Sequence, residues 1–482
     1  MIAVLLIALG LRLLFLWTGG LANGQAFFSD DALITLRYAQ NLAAGHGFVY
    51  NPGEFVLGTT TPLYTLLMTI PALFRVDLMV SAIFFNILFD GLSTVLFWKA
   101  LEKGGFPRTS RLWLTLAFAS NPVLLRWSVY GMETSLLVFL AFLTAWWFWN
   151  GKYFLAGITG SLILLTRPDG GLFLIALFLT HSFFSISTPA FFRPWKWVLG
   201  LALPLVTWLS FSHAYFHALL PQSILSKKII YGMTPPSLSA VLNLGRGFWL
   251  LPAALLGMFL LMRSIPERKH TLPAFFSRWA VTFMIWALLL VAFFALARAP
   301  AHLYEWYRVP LFAALSVLVA AAFPPLPTPL TQPRIIATLC LVPLVLFLAS
   351  PFAGMLIRGP KQQSEKSTFM HLSVGRWLRE NTAPNATVMA GNIGYIGFYS
   401  GRRILDNVGL VSPEVLPLLI ESRGEASPLI EAFKPDYLAL EARESQGMAA
   451  EIQRHDCRLV YSVSLARPSA QSPYRVYHCL WN

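Results

Sequence analysis

A multi-pass helical membrane protein with a small α/β domain at its C-terminal end is the architecture this sequence predicts. Three observations carry that expectation. The 482-residue chain is 56% hydrophobic and only 12% charged, about half the charged fraction of a soluble protein, and its mean hydropathy is +0.61. Apolar runs of bilayer length recur as far as about residue 353. Beyond that point the chain turns polar and mixed in charge for roughly 125 residues, enough for a small domain.

The spans are read from run length, about 17–25 residues allowing for tilt. They fall at 2–20, 78–99, 111–128, 133–150, 153–167, 171–188, 196–214, 239–262, 278–297, 308–323 and 335–353, which makes about 11 helices. Lys and Arg in the short connections set the orientation. Lys99, Lys103, Arg108 and Arg111 share one connection, Arg193 and Lys196 another, and Arg263, Arg268, Lys269 and Arg278 a third. With 11 spans all three face the cytoplasm. The N-terminus is then cytoplasmic, and the tail and the first loop lie outside. Met1 to Trp17 reads as an uncleaved first helix. Ala22 and Ala26 offer small residues for cleavage, but no basic residue precedes the apolar run and Arg12 interrupts it. The expected domains are therefore a membrane module, 1–353, with a first outer loop at about 21–77, and an extracytoplasmic α/β domain, 354–482.

The net charge of +14 fits topology determinants and contacts with membrane-lipid phosphates, and no nucleic-acid partner is expected. Only three cysteines occur, Cys340, Cys457 and Cys479. None has metal-ligand spacing, so zinc, iron–sulfur and thiol chemistry have no support.

The first outer loop holds the most informative stretch, Phe28 to Asn41. Ser29 can cap a helix whose positive first turn suits Asp30 and Asp31. Asp30, Ile34, Arg37 and Asn41 then share one face, giving a helix that lies on the membrane surface and turns an acid, a cation and an amide outward. An ordinary capped helix with an Asp–Arg pair accounts for the same pattern. Gly45 to Glu54 is a turn-rich link. Pro62 suits the first position of a second helix, 64–74, too short to span and so interfacial.

Later outer loops add Arg126, Glu133, Arg167, Asp169, Lys227, Lys228, and Tyr304 to Arg308. Ionisable groups at membrane depth are costly and mark functional sites, although each alone is equally a snorkelling anchor. Their fall on one face predicts a common cavity. In the tail, 368–382 reads as an amphipathic helix with Trp377 and Leu378 inward. Strands are expected at 387–390, 436–440, 457–465 and 473–480. Cys457 and Cys479 lie in the last two, and a disulfide between them fits an oxidising compartment. Strand register decides whether they meet.

The string Asp30-Asp31-Ala32-Leu33-Ile34, Arg37-Tyr38, Asn41-Leu42, Gly45-His46-Gly47, Val49, Asn51, Gly53-Glu54, Val56, Gly58, Thr60, Pro62-Leu63 resembles the GT-C superfamily of membrane glycosyltransferases. Within it, the string is similar to the subgroup of mycobacterial terminal arabinofuranosyltransferases, in a wider group with protein mannosyltransferases and aminoarabinose transferases. Pro221-Gln222-Ser223 with Lys227 is similar to that subgroup's Pro-Asn-Thr and Lys loop. Gly394 to Ser400, Asp406 and Gly409-Leu410 look like its tail signature. Thr59-Thr60-Thr61 is a looser match, so an arabinose donor is not carried over.

The resemblance implies a GT-C-like fold in a bacterial cytoplasmic (inner) membrane and a polyprenyl-phosphate-linked sugar donor. It also implies a glycan, lipid or protein acceptor on the extracytoplasmic face. It implies Asp30 as general base, with Asp31 positioning the acceptor and Glu133 as a second acid. Cations must neutralise the leaving phosphate. Lys227 and Arg308 lead the candidates, followed by Arg167, Lys228 and Arg12. Arg37 either joins them or pairs with Asp30. Tyr38, Asn41 and His46, in the same string, complete the substrate-binding candidates. Asp30, Asp31 and Glu133 could together hold a divalent cation, which a monophosphate donor does not strictly require. The alternative is a lipid or sugar transporter. Against it, no internal repeat is visible and the polar groups gather on one face rather than at mid-membrane.

Overall fold

The computed structural model describes residues 1–19, 28–185, 194–232, 274–296, 305–322, 364–464 and 473–481. The expected spans 239–262 and 335–353 lie outside the described residues. So do Ala22, Ala26, Arg193, Arg263, Arg268, Lys269, Tyr304 and Cys340.

Among the described residues, three helices are long and apolar enough to cross a membrane: Leu78–Lys103, Trp195–Phe216 and Phe275–Phe294. Shorter apolar helices include Ile2–Trp17, Thr134–Trp149 and Tyr153–Thr166. The basic residues sit differently from expectation. Lys99 and Lys103 close the helix Leu78–Lys103, Lys196 lies inside Pro194–Phe216, and Arg278 lies inside Ala274–Leu296. The expected span 111–128 is two helices, Arg108–Ala119 and Pro122–Trp127. Asn121 divides them, because its side chain accepts from the Val123 and Leu124 N–H groups and Pro122 follows at the first helical position. An Asn-Pro pair is a helix start, a signal that the apolar run hides.

The chain forms two compact units. One comprises Met1–Thr18, Ile83–Trp208 and Pro236–Gly359; the other comprises Gly19–Ala82, Leu209–Pro235 and Pro360–Asn482. In this division the first loop groups with the tail.

In the first unit, Phe142, Phe173, Trp279, Phe283 and Trp286 are fully buried and meet mostly edge to face, the preferred arrangement of aromatic quadrupoles. Gly157 and Gly200 allow the helices Tyr153–Thr166 and Pro194–Phe216 to touch backbone to backbone. A Cβ on either would overlap the other helix's main chain, the small-residue contact expected in membranes. Trp195, Val198, Leu199, Leu203 and Val206 are exposed apolar side chains on a face suited to lipid. Arg12 is buried. Its Nε and Nη2 donate to Asp90 Oδ2 at 3.1 and 2.7 Å, and its Nη1 donates to the Ala8 and Ala119 carbonyls. This pair removes Arg12 from the phosphate-binding candidates.

In the second unit, helix α1 (Asp30–Ala43) and helix α2 (Pro62–Leu73, Pro62 at its first position) come from the first loop. The tail supplies a five-stranded sheet of β1 (Thr387–Ala390), β2 (Arg403–Asp406), β3 (Tyr437–Glu441), β4 (Arg458–Val463) and β5 (Tyr474–His478). Their order is β2-β1-β3-β5-β4, with β1 parallel to β2 and β3, and β5 antiparallel to β3 and β4. Helix α3 (Ile393–Ser400) crosses from β1 to β2. The four expected strands are present; β2, only four residues long, was not anticipated. The helix expected at 368–382 is Ser364–Asn381. Leu378 is fully buried, whereas Trp377 is half-buried and stacks on Tyr461 at 5.1 Å. Arg458 pairs with His478 across β4 and β5, which sets Cys457 opposite Cys479, and the two are bonded.

Arg12→Met is expected to lower the thermal unfolding temperature of the purified protein sharply, a loss of about 3–5 kcal/mol from an uncompensated buried charge. The double variant Arg12→Met/Asp90→Leu should recover most of it. Additive losses would refute a coupled pair.

Candidate active site

Asp30 opens α1, and the site is built around it. Ser29 occupies the cap position, but its side chain makes no capping bond. The helix does not turn a polar face outward as expected, because Ala32 to Ala39 are all buried. The polar face meets the tail instead. Asp30 Oδ2 accepts from the Gly394 N–H and Oδ1 from the Tyr395 N–H, each at 2.9 Å. Asp30 therefore caps α3, whose own cap residue Asn392 makes no side-chain capping bond. Only glycine fits at 394, since a Cβ there would overlap the Asp30 carbonyl. Burial pushes the Asp30 carboxyl up to about 6; the two N–H donors oppose this, and Asp31 and Asp406 add to it. The half-buried Asp31 has no hydrogen-bond partner among the described residues.

Around this cap the first loop and the tail exchange bonds. The Tyr395 hydroxyl pairs with the Phe28 main chain at 3.1 Å, and the Tyr50 hydroxyl donates to the Ile393 carbonyl at 2.7 Å. Arg37 does not pair with Asp30. Its Nε donates to Tyr50 O, and its Nη2 to Asn51 Oδ1 and Arg402 O, while its guanidinium lies 4.1 Å over the Tyr50 ring. Gly397 leaves room for Tyr50 and Arg37. Asn51 acts as a surrogate strand on the edge of β2, accepting from Ile404 N–H at 3.0 Å and donating to Ile404 O at 2.9 Å. That satisfies groups an edge would leave open.

Two other string residues also bind the chain itself. The buried Tyr38 hydroxyl donates to Val56 O and accepts from Gly58 N–H. Asn41 Nδ2 donates to Val49 O and Tyr50 O. His46 is exposed. Arg37, Tyr38 and Asn41 hold the loop's shape through these bonds, while Arg37 Nη1 is buried without a hydrogen-bond partner.

The tail signature has the same explanation. Asp406 is buried, and its carboxylate accepts from Val408, Leu410 and Val411 N–H groups. Burial raises this carboxyl to about 6 against those donors. Gly409 has φ +80°, a region that favours glycine, and its carbonyl accepts from Ser226. The Pro221 to Lys227 segment thus docks on the tail signature; Gln222 N–H also donates to Leu57 O at 2.7 Å.

In the first unit, Arg167 Nη1 donates to Glu133 Oε1 at 2.9 Å, and its Nε and Nη2 grip Asp169 at 2.9 and 3.0 Å. Its guanidinium also covers Tyr307 at 4.7 Å. Two carboxylates thus share this one guanidinium. Of the acids expected to hold a divalent cation, Asp30 accepts from two N–H groups and Glu133 from a guanidinium. Lys228 is exposed, Lys227 and Arg308 are half-buried, and Arg308 Nε is buried without a hydrogen-bond partner.

The fold is shared with ArnT. The structure of ArnT from Cupriavidus metallidurans bound to undecaprenyl phosphate matches with a TM-score of 0.60 at 13% identity, over 99% of this chain and 97% of that one. A mutant form of arabinofuranosyltransferase AftD from Mycobacteria matches with a TM-score of 0.53 at 16% identity, over 99% of this chain and 41% of that one. The resemblance read from the first loop is borne out at the level of fold. Residues 357–477 match a family described as a domain of unknown function (DUF8728). No curated protein matches the sequence.

Asn51→Ala removes both bonds to Ile404. It is expected to cost about 2 kcal/mol and to speed hydrogen exchange of the Ile404 and Tyr395 amides. Unchanged exchange would mean that the loop and the tail hold together without it.

Proposed function

We propose that the chain is an integral-membrane glycosyltransferase that moves a sugar from a polyprenyl-monophosphate donor to an acceptor on the extracytoplasmic face of a bacterial cytoplasmic membrane. The observation that carries this reading is the full-length fold likeness to ArnT, a protein solved with undecaprenyl phosphate bound. The bonded Cys457–Cys479 pair supports an oxidising, extracytoplasmic setting for the tail.

In this reading Asp30 takes the proton of the acceptor hydroxyl. The acceptor oxygen bonds to the anomeric carbon, and the bond from that carbon to the phosphate oxygen breaks. The lipid monophosphate leaves with the electron pair. A carboxylate has about four lone-pair positions, and two N–H bonds leave room for an acceptor proton. Those bonds also fix the carboxylate's orientation, a prerequisite for efficient proton transfer. A carboxyl raised to about 6 is a better base near neutrality than an unperturbed one. Asp31, beside it and without a partner among the described residues, positions the acceptor. In this reading Lys227, Lys228 and Arg308 neutralise the phosphate as charge develops on it.

Membranes supplied with labelled polyprenyl-phosphate sugars should show transfer by the wild type and none by an expressed, folded Asp30→Asn. Because the base works deprotonated, kcat/KM should fall as pH drops through about 6 and level off above it. Wild-type-like transfer by Asp30→Asn would move the base to Asp31. Absence of transfer from every donor would sink the enzyme reading.

A further inference from the structure

Tyr395 grips the first loop on both sides of Ser29. Its main-chain N–H donates to Asp30 Oδ1 at 2.9 Å. Its hydroxyl lies 3.1 Å from the main-chain nitrogen of Phe28 and 3.1 Å from the carbonyl oxygen of the same residue. A phenol hydroxyl donates one bond and accepts others, so it donates to Phe28 O while accepting from Phe28 N–H. Phe28 and Tyr395 are both buried. The Tyr395 ring is stacked on Tyr399, one turn further along α3, with centroids 6.0 Å apart and planes 11° apart, which fixes where the hydroxyl points.

The start of α1 has little else of its own to hold it. Ser29 is extended, at φ −66° and ψ 141°, and its side chain makes no capping bond. The Gly394 and Tyr395 N–H groups hold only the tip of the Asp30 side chain. A carboxylate pinned at its tip still swings if the main chain it springs from moves, so a fixed base needs a second point on the backbone. The Tyr395 hydroxyl supplies that point two residues upstream. Other bonds across this interface join Tyr50 to Ile393, Arg37 to Arg402 and Asn51 to Ile404. They hold loop positions 37, 50 and 51, whereas Tyr395 acts on the two residues that flank Ser29.

We propose that Tyr395 is a positioning residue for the base, its hydroxyl clamping Phe28 so that the Asp30 carboxylate stays on the amides of α3 and aimed at the acceptor. The inference rests on the transferase reading for its catalytic consequence. A base acts only within hydrogen-bond reach of the proton it takes, and a small misplacement is costly in rate. Without the hydroxyl, the buried Phe28 N–H and carbonyl lose this partner and are driven to seek others. The chain entering α1 then shifts, and the carboxylate leaves the amides for part of the time. Tyr395 is buried and acts on the reaction through Asp30.

The test uses full-length protein in nanodiscs and the variant Tyr395→Phe. The first readout needs no substrate. In protein labelled with 15N-glycine, the Gly394 amide signal should move as pH passes through about 6, because its N–H donates to a carboxyl that changes charge there. Asp31 and Asp406 also act on Asp30, so the signal is assigned by its loss in Asp30→Asn. The second readout is kcat and KM with labelled polyprenyl-phosphate sugars. In Tyr395→Phe the Gly394 response should shrink by about half or more and kcat fall on the order of tenfold, with KM within about twofold of wild type. An unchanged Gly394 response overturns the proposal, whether or not kcat falls; so does a raised KM with kcat unchanged. If Tyr395→Phe does not fold, the wild type carries the test through hydrogen exchange. The Phe28 and Gly394 amides should then exchange together, and a Phe28 amide that exchanges far faster overturns the clamp. A shrunken Gly394 response in a protein that transfers no sugar from any donor counts against the transferase reading alone.

Discussion

One carboxylate on two consecutive backbone amides organises the second unit. Asp30 reaches Gly394 and Tyr395 across more than 360 residues of chain. A helix end leaves N–H groups that must find acceptors, and α3 does not supply one from its own cap residue. The first loop supplies it. Because the bond is made by both oxygens, it fixes position and rotation together. An acid placed this way faces the positive end of a helix in a partly dry setting, and burial prevails over the N–H donors. The result is a carboxyl that is oriented yet basic.

The string in the first loop and the signature at 394–410 are two halves of one interface. Tyr50 meets Ile393, Arg37 meets Arg402, Asn51 meets Ile404, and Gly394 and Gly397 provide the close approach. This explains why a surface helix was the wrong expectation for residues 30–43. Its polar face is satisfied by groups of the tail and of the first loop itself rather than by water.

Electrostatics in the membrane module follow a related rule. Arg12 with Asp90, and Arg167 with Glu133 and Asp169, are mutually committed. Leaving any of these groups buried alone would cost several kcal/mol, so cations that read as phosphate ligands are held by acids instead. Asp90 had a sequence signal, a lone carboxylate inside an apolar span. Arg402 had none, because most of its partners are main-chain atoms that carry no residue identity.

Composition and run length alone determined that this is a membrane protein with a polar tail, since transfer of apolar surface depends on how much there is and not on what it touches. Periodicity and Pro62 marked α1 and α2, and β propensity marked four of the five strands. The Asn-Pro break at 121–122 was present but masked by hydrophobicity. The tertiary structure alone decided the rest. It settled that the first loop groups with the tail, that Cys457 meets Cys479, and that Arg167 pairs with Glu133 and Asp169. Each of these depends on which groups end up within about 3 Å of each other, and such distances between remote residues are set by strand register and packing, not by neighbours in the chain.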